Sequence, residues 1–119
     1  MEIIVVGAGA IGSLYGAKLA ADNHVTLIGR PDHVAAINSH GLRIEGLEER
    51  VVHLRAATEV THIPPEALIL VTTKVPATTA ALEPLASLLR DDTVVLSLQN
   101  GLGVDRHIRA ALQNRGVFL

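Results

Sequence analysis

The fold is decided by the stretch Ile3-Ile4-Val5-Val6-Gly7-Ala8-Gly9-Ala10-Ile11-Gly12-Ser13-Leu14-Tyr15-Gly16, near the start of the chain. A short apolar run enters a glycine cluster, and a pattern with helical spacing leaves it. Strand, tight turn and helix in that order are typical of a βαβ unit that binds a dinucleotide. We expect Gly7 to let the chain turn sharply, Gly9 to let the backbone approach a pyrophosphate, and Gly12 to let the helix lie close to the strand. Gly16 lies one turn further along the same helical face and is expected to help this packing.

The start of this predicted helix is suited to an anion. Free N–H groups and the helix dipole stabilise a phosphate group by about 0.3–1 kcal/mol at exposed sites, and by up to about 2 kcal/mol when the site is partly buried. We therefore predict that a cofactor pyrophosphate is bound by Gly7, Ala8, Gly9, Ala10, Ile11 and Gly12. The alternative is a glycine-rich turn that only packs a helix on a sheet.

Composition narrows the class of protein. The chain has 119 residues, 49% of them apolar and 18% charged, which predicts one globular domain with a real core. A net charge of −2 and only one Tyr, one Phe and no Trp argue against nucleic acid or an anionic membrane surface as a partner. Cysteine is absent, so thiolate chemistry is excluded, and the six histidines are too scattered to predict a metal site. The first strand begins close to Met1 and no apolar run is long enough for a membrane span, so we expect a cytoplasmic protein without a signal peptide.

Apolar spacing, glycine and proline predict further strands and helices along the chain. Strands are expected at residues 2–6, 24–28, 67–72 and 93–97, and a further strand begins at residue 117. Helices are expected at residues 10–21, 33–39, 77–90 and 104–114. Residues 42–45 and 50–54 predict a hairpin at the sheet edge, with one arm as a candidate for the third strand and a loop over residues 56–65 after it. The fold class is therefore α/β, a Rossmann-type, mostly parallel, doubly wound sheet with an inserted β-hairpin.

Several local details of the helices are also predicted. Asn23 is expected to end the first helix as a left-handed cap, and Asp32 to cap the second helix. Pro84 is expected to kink or split the third helix because proline cannot donate the helical hydrogen bond. The large apolar residues of the first helix share one face, formed by Ile11, Leu14, Tyr15 and Leu19.

Ligands of open α/β sheets bind outside the carboxyl ends of the strands, and three polar side chains follow such ends. Arg30 stands where an enzyme selective for NAD usually has a carboxylate, and a guanidinium there favours the 2′-phosphate of NADP by about one to two decades in affinity. Lys74 ends the fourth strand, where its ammonium group could lie near the cofactor or an anionic substrate. Asn100 can donate and accept hydrogen bonds with a ribose or a substrate group. The alternatives are a solvated loop arginine, a solvated lysine and an Asn-Gly turn.

These motifs together resemble one family. The glycine stretch, Gly29-Arg30, Val71-Thr72-Thr73-Lys74 and Leu98-Gln99-Asn100-Gly101-Leu102-Gly103 look like the amino-terminal domain of the ketopantoate reductases (2-dehydropantoate 2-reductases). The resemblance covers essentially the whole chain and implies an NADPH-dependent oxidoreductase that reduces ketopantoate to pantoate for pantothenate synthesis. It implies that residues 7–12 hold the pyrophosphate, that Arg30 holds the 2′-phosphate, that Lys74 lies beside NADP(H), and that Asn100 contacts the nicotinamide end and the substrate.

The resemblance also implies what the chain lacks. Family members carry a helical carboxyl-terminal domain that supplies the catalytic lysine, most substrate contacts and the contacts of a homodimer. We therefore expect residues 1–119 to be the NADP-binding domain, with no catalytic residue of its own and no turnover when alone. The substrate would be a small 2-keto acid. The competing hypothesis is a non-catalytic nucleotide-sensing module, such as the regulatory domain of a transporter, although those modules commonly keep an acidic residue where this chain has Arg30.

Overall fold

The computed structural model describes residues 1–44, 50–73, 80–98, 104–113 and 117–118. The strands are β1 (Glu2–Val6), β2 (His24–Ile28), β3 (Leu42–Ile44), β4 (Arg50–Val52), β5 (Arg55–Ala57), β6 (Leu68–Val71), β7 (Val94–Ser97) and β8 (Val117–Phe118). The helices are α1 (Ala10–Leu19), α2 (Pro31–His40) and α3 (Val104–Ala111), and a short helical segment at residues 80–82 leads into a 3-10 turn at Glu83–Leu85. None of the described helices is long and apolar enough to cross a membrane.

The main sheet is parallel and doubly wound. Its six strands have the order β5-β2-β1-β6-β7-β8, and every neighbouring pair runs in the same direction. The chain moves outward from β1 through β2 to β5, then returns to β6 on the other side of β1 and moves outward again. This reversal lies between β1 and β6, the place where open α/β sheets bind ligands. The predicted Rossmann-type fold is confirmed.

The region after α2 differs from the prediction. The hairpin forms, but β3 and β4 make a separate antiparallel sheet, so neither arm is the third strand. That position is taken by β5, which overlaps the predicted loop at residues 56–65 and pairs with β2. The prediction failed because β5 is stabilised by distant partners: Asn38 of α2 accepts from the Ala56 N–H at 3.1 Å and donates to the Ala56 carbonyl at 3.0 Å. Residues 45–49 of the predicted hairpin lie outside the described part of the chain.

Pro84 splits the third predicted helix, as expected. Residues 80–82 are helical, and a 3-10 turn then begins at Glu83, with Pro84 in its first turn. Turns rather than helix follow up to residue 88, so the predicted helical end at residue 90 was wrong. The predicted start of this helix at residue 77 lies outside the described residues, as does residue 114, the predicted end of the fourth helix.

Helix α1 buries the face opposite to its large apolar residues. Ile11, Leu14 and Tyr15 are 58%, 42% and 45% exposed, whereas the glycines and Ala17 face the sheet. The apolar face described from the sequence is therefore mostly a solvent face. The physical reason is the close approach of α1 to the sheet: a Cβ on Gly16 would lie 2.9 Å from the Leu27 Cδ2 atom, so only small side chains fit between them.

The ends of α1 and α2 differ from the two caps predicted at Asn23 and Asp32. Asn23 has no left-handed backbone; its side-chain amide instead donates to the Leu19 carbonyl at 3.0 Å, and α1 ends at Leu19 rather than at residue 21. Asp32 does not cap α2, because Pro31 has the fixed φ of a first helical residue and the helix starts there, with Arg30 as the flanking residue.

The core lies on both faces of the sheet, as predicted for β6. Successive strand side chains point to opposite faces, so Ile69 and Val71 pack with Leu82, Leu85 and Ile108 on one side. The other face of the sheet packs against α1 and α2 through Ile3, Val5, Leu27, Leu70, Ala17, Val34 and Ile37. This two-sided packing fixes the strand ends that form the candidate site.

Candidate functional site

The carboxyl ends of four strands stay hydrogen-bonded one residue beyond the strands themselves. The Gly7 N–H donates to the Ile28 carbonyl at 3.1 Å and the Gly29 N–H to the Ala57 carbonyl at 3.1 Å. On the other side, the Thr72 N–H donates to the Val6 carbonyl at 3.0 Å, and the Leu98 N–H to the Val71 carbonyl at 3.0 Å. These bonds place the residues that follow β1, β2, β6 and β7 along one edge, which we call the rim. Among the described residues, the carboxyl strand ends at which the sequence predicts ligand binding therefore meet on one edge of the sheet.

Gly7 is required by backbone conformation. Its φ of +113° lies in a region that residues with a side chain rarely adopt. A Cβ on Gly7 would also lie 2.9 Å from the Thr73 backbone nitrogen. The predicted sharp turn after β1 is therefore confirmed, and the end of β6 packs directly against it.

Gly12 is required by packing. A Cβ there would lie only 1.9 Å from the Gly7 carbonyl oxygen and 2.6 Å from the Thr72 hydroxyl oxygen. The prediction that Gly12 brings the helix close to the strand is confirmed, and the contact is with the turn as well as with the neighbouring strand end.

Gly9 differs from both, because neither conformation nor packing requires a glycine there. Its φ of −77° and ψ of −167° are extended values that other residues adopt, and among the described residues its Cβ would meet no atom within 4 Å. Gly9 is the residue that flanks the start of α1 and, having no side chain, makes no capping hydrogen bond to this helix end. The first N–H groups of a helix have no partner within the helix. The missing side chain at Gly9 thus leaves open space beside N–H groups that suit an anion.

The rest of the predicted phosphate-binding turn is fixed by contacts of Ala8 with α1 and with the end of β2. Ala8 is buried, and its carbonyl accepts a hydrogen bond from the Ser13 hydroxyl at 3.2 Å. A Cβ on Gly29 would lie 2.8 Å from the Ala8 Cβ, so the glycine after β2 lets the turn and the start of α2 approach each other. Ala10 and Ile11 form the first residues of α1. The sequence predicted no role for Ser13 or Thr72 and no packing of Gly29 against Ala8, because these partners become neighbours only in the folded chain.

Arg30 lies on the rim beside this turn. It is exposed, follows Gly29 directly and flanks the start of α2, with extended backbone angles of −72° and 153°. The structure records no hydrogen bond or ion pair between its side chain and any described residue. The guanidinium is therefore available to a ligand that reaches the end of β2.

The other two predicted site residues, Lys74 and Asn100, lie outside the described part of the chain. Their neighbours Thr73 and Leu98 are on the rim, after β6 and β7. The predicted roles of Lys74 and Asn100 in binding the cofactor and the substrate remain predictions.

Known proteins are similar to this chain in both sequence and fold. A 2-dehydropantoate 2-reductase of Pyrococcus horikoshii is 48% identical over 109 residues, which cover 91% of this chain and 36% of that protein. A PanE/ApbA family ketopantoate reductase of Ralstonia eutropha superposes with a TM-score of 0.88 at 33% identity, over 99% of this chain and 40% of that one. A D-mandelate dehydrogenase solved with NADH and anilino(oxo)acetate superposes with a TM-score of 0.85 at 35% identity, over 94% of this chain and 38% of that one.

The chain thus spans somewhat more than a third of the length of these relatives. The family model described as "Ketopantoate reductase PanE/ApbA" matches residues 3–119, which include the whole rim. The sequence match and the glycine turn on a doubly wound sheet agree, and the chain belongs to the ketopantoate reductase PanE/ApbA family.

Proposed function

We propose that this chain is the NADPH-binding part of an enzyme that reduces a 2-keto acid, with ketopantoate as substrate and pantoate as product. The observation that carries the proposal is the uncapped start of α1 beside the open space at Gly9. A turn that only packed a helix on a sheet would need Gly7 and Gly12, whereas neither a clash with the described residues nor a positive φ requires a glycine at position 9. The names of the relatives supply the keto-acid chemistry.

The choice of NADPH over NADH rests on Arg30. One protein with this fold was solved with NADH, so the fold by itself does not select NADPH. In this chain no carboxylate lies at residues 28–30 to accept a hydrogen bond from a ribose 2′-hydroxyl, and the exposed Arg30 follows the end of β2. A charge-assisted contact between the guanidinium and a 2′-phosphate is worth about 1.5–3 kcal/mol, or about 10- to 150-fold in affinity.

When bound, NADPH would supply the hydride that reduces the keto carbon, and a proton added to the keto oxygen would complete the hydroxyl group. The residues of this chain bind the cofactor and orient it toward the substrate. The turn at residues 7–12 holds the pyrophosphate, Arg30 holds the 2′-phosphate, and we propose that Lys74 lies beside the cofactor and Asn100 contacts the nicotinamide end and the substrate. We further propose that the proton donor, most substrate contacts and any dimer interface belong to the helical domain of the longer relatives that this chain does not match.

The test compares cofactor binding in wild type, Arg30→Ala and the control Arg90→Ala. Arg90 is also exposed, but it lies before β7, at the opposite edge of the sheet from the rim. Isothermal titration calorimetry should show NADPH bound more tightly than NADH by wild type, and Arg30→Ala should weaken NADPH binding by about 10- to 150-fold while leaving NADH binding nearly unchanged. Arg90→Ala should bind both cofactors as wild type does. Equal losses for both cofactors in Arg30→Ala would remove the argument for NADPH.

Turnover is tested separately, on a protein in which residues 1–119 are joined to the part of the Pyrococcus horikoshii relative that lies beyond the matched residues. Consumption of NADPH with ketopantoate is the expected result. Tight NADPH binding without reduction of ketopantoate or of any other 2-keto acid would instead favour the nucleotide-sensing hypothesis.

A further inference from the structure

We propose that Thr72 is a positioning residue for the cofactor: its hydroxyl group holds the Gly7–Ala8 peptide in the orientation that the pyrophosphate-binding turn requires. This inference rests on the proposed function, since it assumes that a dinucleotide binds at the turn. Thr72 follows β6 directly and is half-buried between the turn and the start of α1.

Two carbonyl groups lie within reach of the Thr72 side chain. Its hydroxyl oxygen is 2.8 Å from the Gly7 carbonyl oxygen and 3.1 Å from the Val6 carbonyl oxygen. The Val6 carbonyl already accepts the Thr72 backbone N–H at 3.0 Å. A hydroxyl group has a single hydrogen to donate, and the shorter distance assigns it to Gly7. The bond joins residues that are 65 positions apart in the sequence.

This hydrogen bond selects one orientation of a peptide unit that glycine leaves free. Gly7 adopts φ values of either sign at little cost, so its own conformation does not fix the path of the turn. The peptide bonds of the described chain are all trans, and the C=O and N–H groups of a trans peptide point in opposite directions. A Gly7 carbonyl held toward Thr72 therefore directs the Ala8 N–H away from β6.

A second hydroxyl group acts in the same way on the next peptide unit. Ser13, in the first turns of α1, donates to the Ala8 carbonyl at 3.2 Å. Two successive carbonyls that could rotate toward the ligand are thus each held by a protein hydroxyl. The backbone enters α1 at Gly9, beside which the described residues leave open space, and the first N–H groups of a helix have no partner within the helix and suit an anion.

The packing around Thr72 shows that its size is also fitted to the turn. A Cβ on Gly12 would lie 2.6 Å from the Thr72 hydroxyl oxygen, and a Cβ on Gly7 would lie 3.0 Å from it. The side chain therefore fills the space between β6, the turn and α1. Thr72→Val keeps the shape but places a methyl group against two carbonyl oxygens, whereas Thr72→Ser keeps the hydroxyl group and removes only the methyl group.

Thr93 offers a matched control. It is the one fully buried polar residue of the described core, and its hydroxyl oxygen accepts a hydrogen bond from the Arg90 backbone N–H at 3.1 Å. It precedes β7 and so lies at the edge of the sheet opposite to the rim. Thr93→Val should lower the stability of the fold by leaving a backbone N–H without its partner, but it should not alter the turn.

The experiment measures NADPH affinity by calorimetry and the melting temperature without cofactor for wild type, Thr72→Val, Thr72→Ser and Thr93→Val. Thr72→Val should bind NADPH about five- to tenfold more weakly, and Thr72→Ser should restore binding to within about twofold of wild type. Thr93→Val should melt at a lower temperature with unchanged affinity. If Thr72→Val does not fold, Thr72→Ala removes the hydroxyl group without placing a carbon against the carbonyl oxygens, and the same loss of affinity is expected.

The outcomes separate this inference from the proposed function. Wild-type affinity in Thr72→Val or Thr72→Ala would overturn the role of Thr72 alone, as would a Thr72→Ser variant that binds as weakly as Thr72→Val. A wild-type chain that binds no NADPH would overturn the proposed function, and this inference would fall with it.

Discussion

Gly9→Ala is the substitution that most directly separates ligand binding from folding at the glycine turn. The added Cβ would enter space in which no atom of the described residues lies within 4 Å, and the backbone angles of −77° and −167° are open to alanine. The substitution therefore places a methyl group where we expect the pyrophosphate, without a clash with the described residues.

The effect of Gly9→Ala on stability should be small because two opposing contributions nearly cancel. Alanine restricts the unfolded chain more than glycine does, which stabilises a protein by about 0.4–1 kcal/mol at a compatible position. Alanine is also less favourable than glycine at the residue that flanks a helix start, which costs roughly 0.5–1 kcal/mol. The net change in the free energy of unfolding should stay within about 1 kcal/mol.

The effect on the cofactor should be much larger. If the methyl group prevents one hydrogen bond between a backbone N–H and the pyrophosphate, the loss is about 1.5–3 kcal/mol, since hydrogen bonds to charged groups are stronger than neutral ones. NADPH binding should then weaken by about 10- to 150-fold in calorimetry.

Gly12→Ala is the control with the opposite behaviour. Its Cβ would lie 1.9 Å from the Gly7 carbonyl oxygen, so the turn or the helix must move, and overpacking of this kind costs about 1–3 kcal/mol or more. Thermal unfolding should show a clear loss of stability in Gly12→Ala and almost none in Gly9→Ala. The reasoning is refuted if Gly9→Ala binds NADPH as tightly as wild type, or if it loses as much stability as Gly12→Ala.

Two further predictions concern contacts that hold the site in place. Asn38→Asp should lower the free energy of unfolding by about 1–3 kcal/mol, because a carboxylate cannot donate a hydrogen bond to the Ala56 carbonyl. Urea unfolding measures this loss. The control is Ser39→Ala at an exposed position of the same helix, whose free energy of unfolding should stay within about 0.5 kcal/mol of wild type. Gly29→Ala should be destabilising because its Cβ would lie 2.8 Å from that of Ala8, and Ala8→Gly in the same chain should relieve the cost. Additive effects of the two substitutions in a double-mutant cycle would show that this contact does not limit the approach of the turn to β2.

Local sequence was sufficient for the central strands and the turn between β1 and α1. Runs of apolar and β-branched residues predicted β1, β2, β6 and β7 within about a residue, and the run is nearly continuous in β1 and β6, whose faces are both covered. Pro84 ended a helix for a reason contained in its own ring. Gly7, Gly9 and Gly12 were assigned three different roles, and the roles of Gly7 and Gly12 in the fold are confirmed.

Other features depended on partners far away in the sequence. The strand β5 was predicted as loop, because its position is fixed by β2 and by the side chain of Asn38 rather than by its own pattern. The spacing of the large apolar residues of α1 did not reveal its buried face, because that face carries small residues: Gly16 lies so close to Leu27 that an added Cβ would be 2.9 Å from the Leu27 side chain, and Ala17 is buried.

The sequence by itself determined that a glycine turn joins the first strand to a helix, and that Arg30 follows the second strand, because these depend on backbone freedom and on the order of residues along the chain. Only the tertiary structure decided how that turn is held. Thr72 reaches the Gly7 carbonyl across 65 residues, and Gly29 meets Ala8 across the rim. Such contacts depend on which strands become neighbours in the sheet, and strand order is set by the packing of the whole core rather than by any local spacing.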